Sequence, residues 1–434
     1  MRLSHAFRPL GYVSALALLA GCMSVREEAV VAAPEPAPEV SGVYGGDVVV
    51  AEPAYEAEVV AESPPSGSYA GIARRGVVTA GDIDDLLNLA AFTRYVKRAG
   101  GSLGLPQLGL GAPVLVRLTG PDGSAAPGAR YTLRKPGAAE PFHEGYAGPE
   151  GRIADFPQVL GAGNPGAVEV RVFGADGQEI ARETVRTGKT ATVRLPEAAG
   201  WQPDFLDLVL VVDTTGSMGD EIAFLQKELI GITRAAARKA PGVSIRYGLV
   251  AYRDRGDEYV VKNYGFTANG GQMAGWLRGL SAGGGGDYPE AAAAALKAGV
   301  GLNWRAGKGE RLILQVADAP PHDGDAGSYL RTAKAAADRG VKIFTLGASG
   351  VGDEAEYLMR QASVATGGRY LFLTDDSGVG LAHAEPTVPC YQVTRLSRLL
   401  TRVLMTELSG RRQEAGGGEV LREVGGYDAG VCRS

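Results

Sequence analysis

Asp213, Thr215 and Ser217 alternate along Asp213-Thr214-Thr215-Gly216-Ser217, so one carboxylate and two hydroxyls share a single short loop. A second stretch, Gly283-Gly284-Gly285-Gly286-Asp287-Tyr288-Pro289-Glu290, brings two more carboxylates behind a run of glycines. A third, RLILQVAD, ends in Asp318 and continues Ala319-Pro320-Pro321-His322. Every donor in the first set is a hard oxygen. Such a set suits Mg²⁺ first, with Mn²⁺ or Ca²⁺ as alternatives, and suits neither Zn²⁺ nor copper.

The elements around these stretches decide whether they meet. DLVLVVD (207–213), IRYGLVAY (245–252), RLILQVAD (311–318), VKIFTLGA (341–348) and RYLFLT (369–374) are near-continuous apolar runs. Helical patterns separate them over 220–239, 289–300, 329–338 and 353–365, and 259–264 reads as a short edge strand. Apolar strands alternating with helices predict an α/β fold, a doubly wound and mostly parallel sheet covered on both faces. Ligands bind such sheets at the carboxyl ends of the strands, where all three stretches fall.

In that order and spacing, DTTGSMGDEI, GGGGDYPEA and LILQVADAPPH resemble a von Willebrand factor type A domain, a Rossmann-like fold, over about 204–408. The resemblance implies a metal-ion-dependent adhesion site. Asp213, Thr215 and Ser217 match its first loop, with the hydroxyls as direct ligands, and Asp318 matches its later aspartate. Many members add a threonine that has no counterpart here. The Asp287–Glu290 loop is instead similar to the integrin β-subunit variant, which points to Glu290 as ligand, with Asp287 second. Asp220 and Glu221 fall where that variant holds a second cation, although acids there also suit a helix N-terminus. The family's site leaves a coordination position open for an Asp or Glu carboxylate from a protein partner. The resemblance therefore implies a binding protein, not an enzyme.

Two other readings stay open. One is a structural envelope scaffold with this fold and no metal-gated partner. The other is a serine hydrolase, with Ser217 as nucleophile, His322 or His383 as base and Asp318 as orienter. The hydrolase reading leaves Asp213 and Thr215 without a role, and Thr215 stands where a nucleophile elbow needs glycine. Thr215 also breaks the D-x-D of a phosphatase, and the glycine run lacks the G-K-[ST] of a P-loop.

The rest of the chain reads as delivery and support. Arg2, Arg8 and an apolar run ending Leu19-Ala20-Gly21-Cys22 resemble a lipoprotein signal. Residues 1–21 would be removed and Cys22 lipidated, anchoring the chain to a bacterial envelope membrane. Met23 after the cysteine resembles outer-membrane sorting. Residues 22–75 form an Ala/Pro/Glu-rich tether predicted to be disordered, and 76–103 a single amphipathic helix capped by Thr79 or Asp82. Alternating short strands separated by Gly, Pro and Asp turns predict a small antiparallel β-sandwich over 104–200. The adhesion-site domain then covers 201–410, ending in a basic amphipathic helix from Cys390 whose arginines face solvent, and 411–434 is a tail. With Cys22 lipidated, Cys390 and Cys432 remain as disulfide partners. A net charge of −5, from 44 Lys plus Arg against 49 Asp plus Glu, gives no electrostatic case for nucleic acid.

Overall fold

The computed structural model describes residues 78–433 apart from Ala198 and 378–385. The signal segment 1–21, Cys22, the tether 22–75 and His383 lie outside the described residues.

The chain begins with β1 (Thr79–Ile83) and α1 (Leu89–Leu103). The sandwich follows: β2 (Val114–Thr119), β3 (Arg130–Arg134), β4 (His143–Tyr146), β5 (Arg152–Asp155), β6 (Ala167–Phe173), β7 (Glu179–Arg186) and β8 (Thr190–Arg194). Its sheets run β5-β2-β8 and β4-β3-β6-β7. Alternating residues such as Val116, Leu118, Leu133, Val168, Val170 and Val172 fill the space between them. Pairing is antiparallel except between β2 and β8, which run parallel.

The α/β part continues with β9 (Phe205–Asp213), α2 (Gly219–Ala237), β10 (Ser244–Tyr252), β11 (Val261–Thr267), α3 (Gly270–Arg278) and α4 (Ala292–Val300). Then come β12 (Gly309–Ala317), α5 (Ala326–Asp338), β13 (Lys342–Gly347), α6 (Asp353–Thr366), β14 (Tyr370–Thr374), β15 (Tyr391–Arg395) and α7 (Leu396–Ser409). Three short strands close the chain: β16 (Arg422–Val424), β17 (Gly426–Asp428) and β18 (Val431–Arg433). The central sheet has nine strands in the order β11-β10-β9-β12-β13-β14-β1-β15-β16, with β10, β9, β12, β13 and β14 parallel. Along β9, Val209 and Val211 face one apolar layer with α1, α4, α5 and α6. Leu208, Leu210 and Val212 face the other, with α2, α3 and α7. Burial on both faces is why this strand is continuously apolar.

Several expectations are corrected. The helix predicted over 76–103 is a strand, a turn and then a helix. Thr79–Ile83 pairs antiparallel with β14, and the Thr79 hydroxyl donates to the Thr374 carbonyl at 3.0 Å. Neither Thr79 nor Asp82 caps α1, whose first turn holds no acid. Asp82, Asp84 and Asp85 instead face arginines: Arg369 for Asp82, Arg412 at 2.8 Å for Asp84, and Arg360 at 2.8 Å for Asp85. Residues 79–103 therefore belong to the α/β domain, and the sandwich is inserted after them.

The helix expected from Cys390 starts at Leu396, because Tyr391–Arg395 is drawn into the sheet beside β1. Of its arginines, Arg395 and Arg398 are exposed. Arg402 pairs with Glu419 at 3.0 Å, and Arg412 is largely covered on Asp84. The tail adds the ninth strand and a hairpin. A disulfide between Cys390 and Cys432 ties it down, and Asn88 bonds to the Gly430 carbonyl and the Cys432 amide.

Candidate metal centre

β9 delivers Asp213 to the carboxyl edge of the sheet with its carboxylate fully buried. The chain then turns through Gly216–Met218 into α2. Asp213 Oδ1 accepts from the Thr215 amide at 2.9 Å and from the Thr215 hydroxyl at 2.7 Å. Its Oδ2 is buried without a hydrogen-bond partner. Ser217, exposed at the mouth, donates its hydroxyl to Asp318 Oδ2.

Backbone bonds stitch the three loops together. Gly283 N donates to Thr214 O at 3.1 Å, and Gly216 N to Gly284 O at 3.1 Å. Glu290 N donates to Pro320 O at 3.0 Å, joining the second loop to the third. Glu290 is thereby buried against the site, and its Oε2 has no partner. The glycines allow this approach. Gly285 has φ +72, and a Cβ there would lie 2.9 Å from Glu290 Oε1 and 3.1 Å from Thr215 Cβ. Gly285→Ala is therefore expected to weaken Mn²⁺ binding, read by the spin-resonance signal of the free ion, by about tenfold or more. It combines left-handed strain with a displaced Glu290, and far-ultraviolet circular dichroism should be unchanged.

Electrostatics mark these carboxylates as a set. Burial, and after it the charge of Asp318, push the Asp213 carboxyl up to about 7, against the pull of the Thr215 bonds and of the adjacent Tyr252 hydroxyl. Burial and then Asp213, Asp254 and Asp318 push Glu290 up to about 9. Burial also raises Asp318, opposed by the Ser217 hydroxyl. Crowded, desolvated acids with unpartnered oxygens fit a hard divalent cation, whose charge would let all of them ionise. No group of three His, Cys, Asp or Glu among the described residues is arranged to hold a metal by itself. The donor set here mixes carboxylates with hydroxyls.

Asp213, Thr215, Ser217, Asp318 and Glu290 are brought together. Asp287 is not: it is exposed on its loop, with no hydrogen bond or ion pair among the described residues. Asp220 and Glu221 also diverge. Asp220 faces solvent, while Glu221 turns inward and accepts from the Ser349 amide at 3.1 Å and hydroxyl at 2.7 Å.

The loop after β10 supplies groups that the motifs did not flag. Asp254 is buried and bonds His322 Nε2 at 2.6 Å. Asp257 Oδ2 accepts from Gly285 N at 2.9 Å and from Asp254 N at 3.0 Å, bracing the glycine loop from outside. The Tyr288 hydroxyl donates to Asp318 O at 3.1 Å and accepts from Gly352 N at 2.6 Å. His322 thus pairs with Asp254, and no hydrogen bond joins it to Ser217 among the described residues.

Residues 207–346 match the family model of the von Willebrand factor A domain. Within the α/β part, these residues form a domain of the von Willebrand factor A type. A putative ariadne-like RING finger protein, R811 of Acanthamoeba polyphaga mimivirus, is 32% identical over 117 residues, covering 27% of this chain and 11% of that protein. The alpha-protein kinase vwkA of Dictyostelium discoideum is 20% identical over 205 residues, covering 46% of this chain and 32% of the kinase. The chain thus spans a third or less of the length of these two curated relatives. Among solved structures, the pilus adhesin SpaC of Lactobacillus rhamnosus GG in its open conformation is 14% identical, with TM-score 0.34, covering 56% of this chain and 32% of the adhesin. BatB of Bacteroides thetaiotaomicron is 13% identical, with TM-score 0.30, covering 41% of this chain and 91% of BatB.

Proposed function

We propose that the protein is a lipid-anchored binding protein of the bacterial cell envelope, placed at the outer membrane. Asp213, Thr215, Ser217, Asp318 and Glu290 would hold a divalent cation, Mg²⁺ first, and a protein partner's Asp or Glu carboxylate would complete its coordination. The observation that carries this reading is the pair of buried oxygens without partners, Asp213 Oδ2 and Glu290 Oε2, in a centre otherwise built from hydroxyls and carboxylates. Bound there, the cation supplies positive charge and an open position for an incoming oxygen.

The chain's own residues do the rest. Thr215 orients Asp213 through two bonds to one oxygen, leaving the other free. The bond between Glu290 N and Pro320 O holds Glu290 beneath the mouth. Cys22 and the tether would set the domain off from the membrane. No helix among the described residues is long and apolar enough to cross a membrane. The reading is a non-enzymatic one: Ser217 donates its hydroxyl to Asp318, and His322 bonds Asp254 instead.

The test is capture by the full chain from solubilised envelope. A partner retained in Mg²⁺ and released by EDTA supports the reading. Retention that ignores EDTA would leave the scaffold interpretation in its place.

A further inference from the structure

Around the mouth of the metal centre the chain carries acids, all exposed except the half-buried Glu354, that it does not neutralise. Asp220 opens α2, Asp287 lies on the glycine loop, Asp323 follows β12, and Asp353 and Glu354 open α6. Each stands just beyond the carboxyl end of a parallel strand or on the loop between Gly283 and Glu290, so the topology gathers them at one edge of the sheet. None forms an ion pair among the described residues. The neighbouring cation Arg255 is already matched by Asp325 and offsets nothing. Asp353 and Glu354 also complement the helix N-terminus they begin, yet their charge reaches Tyr288, whose hydroxyl is raised by burial first and then by Asp318, Glu354 and Asp353, against the Gly352 amide.

Tyr288 is the second component. The residue is 45% exposed, while its hydroxyl is fixed between the Asp318 carbonyl and the Gly352 amide. Gly352 permits that contact, since a Cβ there would lie 2.7 Å from the hydroxyl. A solvent-facing aromatic ring already held in place loses little side-chain freedom when a partner packs on it, as binding hot spots require. The ring also offers its face to a cation. Below it, Asp213 Oδ2 and Glu290 Oε2 are buried, without partners, in the centre that the mouth leads to.

Resting on the reading above, we propose that this rim is an interaction surface for a basic protein segment carrying one acidic residue. The acidic side chain enters the centre, flanking lysines or arginines meet Asp220, Asp287, Asp323, Asp353 and Glu354, and the segment packs on Tyr288. An acidic segment would bring its carboxylate to the same place only against the field of the rim. The rim therefore selects among carboxylate-bearing partners that the centre alone would treat alike.

The test uses the full chain and three synthetic peptides with one central aspartate, flanked by lysines, by serines or by glutamates. Mn²⁺ binding is titrated separately, without peptide. In Mg²⁺ at about 50 mM salt the lysine-flanked peptide should bind at least about tenfold more tightly than the serine-flanked one, and the glutamate-flanked peptide most weakly. Salt at about 500 mM should shrink the spread severalfold. Asp323→Lys/Glu354→Lys should narrow the preference with Mn²⁺ binding and the melting temperature retained, and Tyr288→Ala should weaken the lysine-flanked peptide about tenfold. Equal binding of all three peptides, abolished by EDTA, overturns the rim proposal and leaves the metal reading standing. Mn²⁺ binding with no peptide captured also overturns it. Absence of Mn²⁺ binding removes the metal reading and the rim proposal with it.

Discussion

An Asp213→Asn protein is expected to bind neither Mn²⁺ nor a carboxylate partner, while melting at or above the temperature of the metal-free wild type. Asparagine is nearly isosteric and keeps an oxygen where Oδ1 accepts from the Thr215 amide and hydroxyl, so the loop retains its shape. What disappears is the charge, together with the free Oδ2 that a cation requires. In the metal-free wild type that charge is a burden. Burial and Asp318 move the Asp213 carboxyl from 3.8 to about 7, a gap worth on the order of 4 kcal/mol if fully expressed.

The sign follows from proton uptake. Between the unfolded and folded values the folded chain binds the extra proton, so metal-free stability falls as pH rises from about 4 to about 7 through Asp213. Glu290, raised from 4.5 to about 9, extends the fall to more alkaline pH. A bound cation should reverse this trend, because it favours the ionised carboxylates. Thermal melts at acidic, neutral and alkaline pH, with Mg²⁺ or EDTA, provide the check. Wild type should gain several degrees from Mg²⁺ at neutral pH, and Asp213→Asn none. A Mg²⁺ gain that persists in the variant would place the cation elsewhere.

The parts of this molecule that could be read from sequence are those whose physics is local. β9, β10, β12, β13 and β14 are apolar on both faces, and each lies within about three residues of its expected position. The five residues that converge at the centre sit at strand ends or next to tight turns, and their motifs specify both chemistry and location. β1 could not be read this way. TAGDI is five residues long and carries an aspartate, and its partner Thr374 lies 295 residues away. The apolar spacing of Leu86, Leu87 and Leu89 joins smoothly to a helix, so periodicity extends that helix backward. Tyr391–Arg395 suffers the same fate, because YQVTR runs directly into LSRLL. α3 begins Gly270-Gly271, and its start depends on Asn269 accepting from Gly271 N and Gln272 N. Asp254 and Asp257 belong to no motif, and their role is set by loop–loop contacts. The difference between Asp287 and Glu290 is similar: the bridge of Glu290 to Pro321 turns the glutamate inward and leaves Asp287 outside.

The buried acid in the turn after β1, Asp85, carries the second large effect. Arg360 is almost wholly buried, at 1% side-chain exposure. It donates to Asp85 through Nε at 2.9 Å and Nη2 at 2.8 Å, and through Nη1 to Glu356 at 2.8 Å and to the Thr387 carbonyl at 2.8 Å. Its guanidinium lies 4.0 Å from the Tyr95 ring centroid. This one side chain therefore ties the turn after β1, the helices α1 and α6, and the segment before β15. Asp85→Ala leaves a desolvated guanidinium with two donors unmatched, and unfolding stability should fall by about 3–5 kcal/mol. Arg360→Leu/Asp85→Leu should recover at least half of that loss, because no buried cation then remains. Glu356 still accepts from Thr387 N at 3.2 and 3.1 Å. It is already raised by burial, and without Arg360 it should take up a proton. Urea unfolding of the single and double variants checks both steps. A single-variant loss below about 1 kcal/mol would mean that water reaches Arg360 once Asp85 is gone, and that the turn after β1 is not an anchored part of the sheet.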